Sequence, residues 1–135
     1  MKTVFLIARI ATLIPLSLFG QCSLSIEING LKNSIGQVLL EFSNEKGKKI
    51  SGFIQTIENK KCIIVIENLK PGNYTFKYFH DENNNQILDV NAIGIPKEGF
   101  GFSNNAKVTF GPPSLKKTIF AVKGNDTLIC TTTYY

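Results

Sequence analysis

The chain has 135 residues, 43% hydrophobic and 19% charged, which fits one ordinary globular domain; composition excludes a disordered chain and length excludes two domains. Fifteen Lys and Arg stand against 10 Asp and Glu, a net +5; with Lys2 and Arg9 of the N-terminal segment set aside, 13 against 10 leaves +3. So mild an excess excludes the electrostatic footprint of a nucleic-acid binder.

The chain opens with Lys2 ahead of an apolar run from Val4 to Phe19. A retained membrane span needs about 20 uninterrupted apolar residues. Here Arg9 and Pro15 break a shorter run and the polar Gln21 follows at once. This is the anatomy of an export signal, assigned to residues 1–22, with the mature domain over 23–135 and a mature N-terminus near Gln21 or Ser23. No stable membrane span is expected after its removal. The expected compartment is the periplasm, the cell surface or the medium. Lipidation at Cys22 would want a small residue just before it, and Gln21 is not small.

An exported chain with three cysteines raises the question of a disulfide. Cys62 and Cys130 lie 68 positions apart in strand-like segments. Closing such a loop would contribute roughly 3 to 4 kcal/mol if the geometry allows it; the alternative is two buried thiols. No C-x-x-C or Cys/His cluster is present, so zinc and thioredoxin chemistry have no ligands to work with.

Beyond the signal the apolar residues recur with period two. Ser23–Ile28, Gln37–Phe42 and Ile50–Ile57 read as strands, and the β-branched run Cys62–Ile66 as a strand buried on both sides, with turn chemistry at 43–47 and 68–73. Tyr74, Phe76 and Tyr78 alternate with Thr75, Lys77 and Phe79. Two last strands are expected at Thr118–Val122 and Thr127–Thr132, joined through 123–126 as a hairpin. No window carries a helical stripe. The predicted fold is all-β: an antiparallel β-sandwich of about seven strands with a long ordered loop excursion. Leu24, Ile26, Leu39, Ile64, Ile66, Tyr74, Phe76 and Phe120 are expected in its core.

The excursion, His80–Lys116, is rich in Gly, Asn and Pro yet carries Ile87, Leu88, Ile93, Ile95, Phe100, Phe102, Phe110 and Leu115, which call for burial. It is expected to pack over one end or edge of the sandwich, as a cap or as a binding element. It begins Asp81-Glu82-Asn83-Asn84-Asn85-Gln86-Ile87-Leu88-Asp89. Side-chain oxygens at Asp81, Asn83, Asn85 and Asp89, with the backbone carbonyl of Ile87, are the donor pattern of a calcium loop. Gln86 stands where the sharp turn prefers Gly, and Ala92 where an EF-hand places a bidentate Glu. The predicted site is therefore weak, and an Asn-rich turn also closes on itself through Asx hydrogen bonds.

Pro71-Gly72-Asn73-Tyr74, then Phe79-His80-Asp81-Glu82-Asn83 to Leu88-Asp89, then Gly94-Ile95-Pro96-Lys97-Glu98-Gly99-Phe100-Gly101-Phe102-Ser103-Asn104-Asn105-Ala106 and Gly111-Pro112-Pro113-Ser114 together resemble DUF2141, a family of small secreted bacterial proteins of unknown function. The resemblance covers nearly the whole mature chain. It implies export and a prealbumin-like or immunoglobulin-like β-sandwich, and it brings no activity and no catalytic residues. Members usually read H-D-E-N-G-N-G-x-L-D, so Asn84 and Gln86 replace both glycines here.

Catalytic material is thin. His80 is the single histidine, and no Ser or Cys nucleophile is tied to it. Two readings follow. One is a noncatalytic extracytoplasmic module binding a surface ligand, protein or carbohydrate, through the 80–116 excursion, with calcium as a possible stabiliser. The other is a small hydrolase or isomerase using His80 with Asp89 or Glu98; a pocket joining them would favour it.

Overall fold

Alternation in β1 (Cys22–Asn29) buries Cys22, Leu24, Ile26 and Ile28 on one face, and in β2 (Gln37–Asn44) it buries Val38, Leu40 and Phe42. The structure is a computed structural model and describes residues 20–135. The expected export segment, apart from its last three residues, lies outside the described residues. The remaining elements are β3 (Lys49–Thr56), β4 (Cys62–Leu69), β5 (Gly72–Asp81), β6 (Phe100–Phe102), the short helix α1 (Leu115–Thr118), β7 (Phe120–Val122) and β8 (Asp126–Thr131). Among the described residues no helix is long and apolar enough to cross a membrane.

Two sheets face each other as a β-sandwich. The smaller has the order β4-β1-β8; the larger has β3-β2-β5-β6, with β7 paired to the first residues of β5. Their inner faces share one aromatic and aliphatic core. Phe42 stacks on Tyr74 at 5.0 Å, and Phe120 meets Phe76 edge-on at 5.6 Å. Each large side chain removed from water there contributes about 1.5 to 3 kcal/mol.

Several expectations change. Of the expected core residues, Leu39 faces outward, because Val38, Leu39 and Leu40 are consecutive and only the first and third share the inner face with Phe42. The segment 123–126 is not a hairpin: β7 pairs with β5 in the larger sheet, whereas β8 crosses to the smaller sheet and runs parallel to β1. A strand also forms inside the excursion, where Phe100–Phe102 pairs with Lys77–Phe79.

Cys22, Cys62 and Cys130 are free thiols, all buried. Ile28 is the cross-strand partner of Cys62 on one side and of Cys130 on the other. The two cysteines are thus two strand spacings apart, about 9 to 10 Å, beyond the roughly 7 Å Cα separation that a disulfide tolerates. Burial pushes both thiols up from the ordinary 9.0 to about 11. The folded state therefore keeps protons that the unfolded chain releases, so this stabilisation is complete below about pH 9 and is lost as pH rises toward 11. A thiol reagent at pH 8 is expected to leave Cys62 and Cys130 unlabelled until denaturant is added. Rapid labelling of the folded protein would contradict their placement.

Candidate functional site

The excursion does not cap an end of the sandwich. It lies over the outer face of the larger sheet and encloses with it an open groove of about 1270 Å³. The floor follows from strand register. Ile54 pairs with Leu39, Leu39 with Phe79, and Phe79 with Phe100, so one apolar row crosses β3, β2, β5 and β6 on the outward face. The next row is Gly52, Glu41, Lys77 and Phe102, in which Lys77 and Glu41 pair at 3.3 Å. Val90, Ile93, Ile95 and Phe110 supply the facing wall.

Of these wall residues Ile93, Ile95 and Phe110 were expected to be buried and are not. Ile93 is 80% exposed and Phe110 fully exposed, with Ile87, Val90 and Ile95 also open to solvent. Only Phe100 of the excursion's large apolar residues is buried, and Leu88 and Phe102 are half-buried. A wide apolar surface is thus left open beside a concave floor, a combination that protein surfaces in general associate with binding sites. Leu39, Ile54 and Phe79 were not singled out from sequence as groove residues. The available signal was a strand apolar on both faces, as in Val38-Leu39-Leu40, which needs cover on both sides.

The wall is held in place by polar clasps. At one end, Asp81 is fully buried; its carboxylate accepts from the backbone N–H of Asn85 (3.1 Å) and Gln86 (2.9 Å) and from Nε2 of Gln37 (3.1 Å). Asn83 Oδ1 accepts from Asn85 N–H, and Asn85 Oδ1 from Ile87 N–H, two Asx turns in succession. Asp89 accepts from the side-chain amides of Asn83 (2.7 Å) and Asn85 (3.1 Å). Glu98, nearly buried, bridges both ends of the loop by accepting from Glu82 N–H and Asp89 N–H, each at 3.1 Å. Burial raises the Glu98 pKa, and these two donors oppose the rise.

Of the predicted cation donors, Asp81, Asn83, Asn85 and Asp89 are thus brought into one hydrogen-bonded loop, and Ile87 lies within it with its N–H engaged. Asn84 and Gln86 hold φ of 56° and 61°, the left-handed region where glycine is at ease. Among the described residues no group of three or more His, Cys, Asp or Glu side chains is arranged to hold a metal ion. The Asn83 and Asn85 amide nitrogens face the Asp89 carboxylate. A cation there requires both amides to turn their oxygens toward it.

At the other end, the run 99–105 is a second clasp. Ser103, fully buried, donates to the Thr118 carbonyl at 2.5 Å and accepts from Phe76 N–H at 3.1 Å. Asn105 accepts from Thr131 N–H and donates to the Ile129 carbonyl, covering the open edge of β8. Gly101 has no room for a side chain, since a Cβ would collide with the Tyr78 ring.

His80 lies inside the fold with no exposure. Its Nε2 lies 2.6 Å from the Ile35 carbonyl, to which it donates, and its Nδ1 lies 2.8 Å from the Tyr134 hydroxyl, with a Glu82 carboxylate oxygen 3.8 Å away. Tyr134 in turn accepts from Lys32 N–H at 2.9 Å, and burial raises its pKa, which keeps the hydroxyl proton available. His80 lines neither the large groove nor the 410 Å³ cleft between Glu82, Asp89, Lys97 and Glu98. Neither of these two clefts joins it to Asp89 or Glu98.

The model of the bacterial family described as "Uncharacterized protein conserved in bacteria (DUF2141)" matches residues 26–129. The chain belongs to that family. No curated protein is similar enough to match. Among solved structures the chain is similar to the tip fimbrial protein Mfa3 from Porphyromonas gingivalis with C-terminal truncation, at 14% identity and a TM-score of 0.44. The similarity covers 82% of this chain and 48% of that one, so the chain spans about half of that protein's length.

Proposed function

We propose that this DUF2141 member is a noncatalytic, exported β-sandwich module that holds a ligand with an apolar face in the groove over its larger sheet. The observation that carries this reading is the apolar row Ile54, Leu39, Phe79 and Phe100 beneath a wall of exposed Val90, Ile93, Ile95 and Phe110. Of the ligand classes expected from sequence, carbohydrate fits this lining poorly, because its hydroxyls would lose water without gaining partners. A hydrolase or isomerase built on His80 would need the imidazole to meet substrate, and both of its nitrogens are engaged inside the fold.

The test is an apolar dye whose fluorescence rises on leaving water. The wild type is expected to bind it at micromolar concentrations, and Phe79→Glu, which places a charge in mid-floor, to weaken binding at least tenfold while the far-ultraviolet circular dichroism stays unchanged. Equal dye binding by both proteins would move the ligand site elsewhere.

Export is part of the same reading. A cut after Gly20 is favoured over one after Cys22, because the Cys22 side chain is buried in β1 and pairs across to Leu69. Intact-mass measurement of the exported protein is expected to give a chain beginning near Gln21. Retention of the first nineteen residues would overturn the compartment. Calcium enters as a weak stabiliser of the wall, held by Asp81, Asn83, Asn85, the Ile87 carbonyl and Asp89, with dissociation in the roughly 0.1 to 1 mM range that suits two carboxylates.

A further inference from the structure

The groove has a polarity that its apolar character conceals. Its floor row runs in a line across four strands, from Ile54 on β3 to Phe100 on β6. Three strand spacings make this about 14 Å, close to the extended length of an alkyl chain of about a dozen carbons. The far end is closed by aromatic rings, since Phe100 sits 6.3 Å from Phe102 and 5.6 Å from Tyr135. The near end, on the edge strand β3, is different. There Lys49 lies across Gly52, its Nζ 3.4 Å from where a Cβ on that residue would stand, and both residues line the groove.

The charges on the floor do not cancel. Lys77 and Glu41 form a pair in the second row, whereas no carboxylate lies within salt-bridge distance of Lys49 among the described residues. One unpaired ammonium therefore stands at one end of a linear apolar track. Resting on the reading of the groove as a ligand site, we propose that its occupant is a long-chain carboxylate, an amphiphile whose alkyl chain lies along Ile54, Leu39 and Phe79 toward Phe100 and whose anionic head meets Lys49. The tail supplies most of the affinity by leaving water. The head fixes direction through a charge-assisted contact at the rim, where the ammonium keeps part of its hydration.

The experiment displaces the apolar dye from the full mature chain with dodecanoate, dodecanol or dodecyltrimethylammonium, each below its micelle concentration, in wild type and in Lys49→Gln. Lys49 is exposed, and melting curves confirm that the variant is folded. The expected result is that dodecanoate displaces the dye about tenfold better than dodecanol in wild type, and the cationic amphiphile least well. In Lys49→Gln the carboxylate's advantage disappears while dodecanol is unchanged, and in wild type the advantage shrinks with added salt. Equal displacement by carboxylate and alcohol in wild type, or equal weakening of both by Lys49→Gln, overturns the assignment of the head. Dye bound in a Phe79-dependent way but displaced by none of the three overturns the amphiphile and leaves the groove reading standing, with a protein occupant. Failure of the dye to bind wild type overturns both.

Discussion

Gly36→Ala is expected to leave the protein largely unfolded at room temperature, whereas Gly94→Ala, an equivalent substitution in the groove lining, lowers stability by only about 1 to 2 kcal/mol. Both glycines hold φ in the left-handed region, at 77° and 84°. Each therefore incurs the ordinary penalty of placing a Cβ in that conformation, about 1 to 2 kcal/mol. Gly94 has nothing within 4 Å of the new atom. At Gly36 the new Cβ collides with the carbonyl oxygen of Asp81 and stands 2.8 Å from the Glu82 Cα. These are backbone atoms, so no rotamer change relieves the clash, and β2 must separate from β5 where Gln37 pairs with Asp81. The expected loss exceeds about 4 kcal/mol, a large part of the roughly 5 to 15 kcal/mol that a domain possesses. Urea titrations of the two variants, followed by circular dichroism, make the comparison. Similar midpoints would mean that Gly36 does not sit against β5 as described.

Strand positions were legible in β1 and β5 because their inner faces are written as strict alternation: Leu24, Ile26, Ile28; Tyr74, Phe76, Tyr78. In contrast β4, expected from its unbroken apolar run to be buried on both sides, buries only Cys62, Ile64 and Ile66 of that run and leaves Ile63 and Val65 exposed. Strand partners were less so. Nothing in residues 123–126 distinguishes a hairpin turn from a crossover, and β8 crosses to pair in parallel with β1 at the edge of the smaller sheet. The face of Leu39 was ambiguous because its neighbours on both sides are equally apolar. Phe100–Phe102 is too short to show periodicity, and its strand exists only through its pairing with β5.

The site was half legible for related reasons. The oxygen pattern from Asp81 to Asp89 identified an ordered loop, and Asn84 and Gln86 marked its two left-handed positions. Spacing alone could not show that the side-chain amides face Asp89, since amide nitrogen and oxygen occupy the same place in a sequence pattern. Nor could it show that the apolar residues of the excursion would remain exposed. Burial was inferred from hydrophobicity, and hydrophobicity does not distinguish a core from a ligand site awaiting its occupant.

Asp81→Ala is the second substitution expected to be severe, with or without calcium. Asp81 has no exposure, and its carboxylate accepts from two backbone N–H groups and the Gln37 amide. Removing it leaves Gln86 N–H and the Gln37 amide without that partner, and Asn85 N–H with only Asn83 Oδ1, where β5 turns into the groove wall. Donors orphaned in a buried place cost about 1 to 3 kcal/mol each when no water reaches them. Part of the turn stays solvated, so the expected loss is about 3 to 5 kcal/mol, measured in urea with a chelator present. Asp89→Ala removes an acceptor used only by the exposed amides of Asn83 and Asn85, and is expected to cost about 1 kcal/mol or less. Calcium separates the two roles. At tenfold excess over its dissociation constant it would add about 1.4 kcal/mol to wild type by mass action, raising the melting temperature by several degrees. Asp89→Ala, which stays folded, should show no such rise. A flat wild-type response would leave the loop closed by its Asx turns alone, while a harmless Asp81→Ala in chelator would show that the carboxylate does not anchor the wall. The expected combination, a large deficit at Asp81 without metal and a calcium response that depends on Asp89, means that the buried Asp81 carboxylate anchors the fold whether or not the ion is bound, and that the ion depends on the half-buried Asp89.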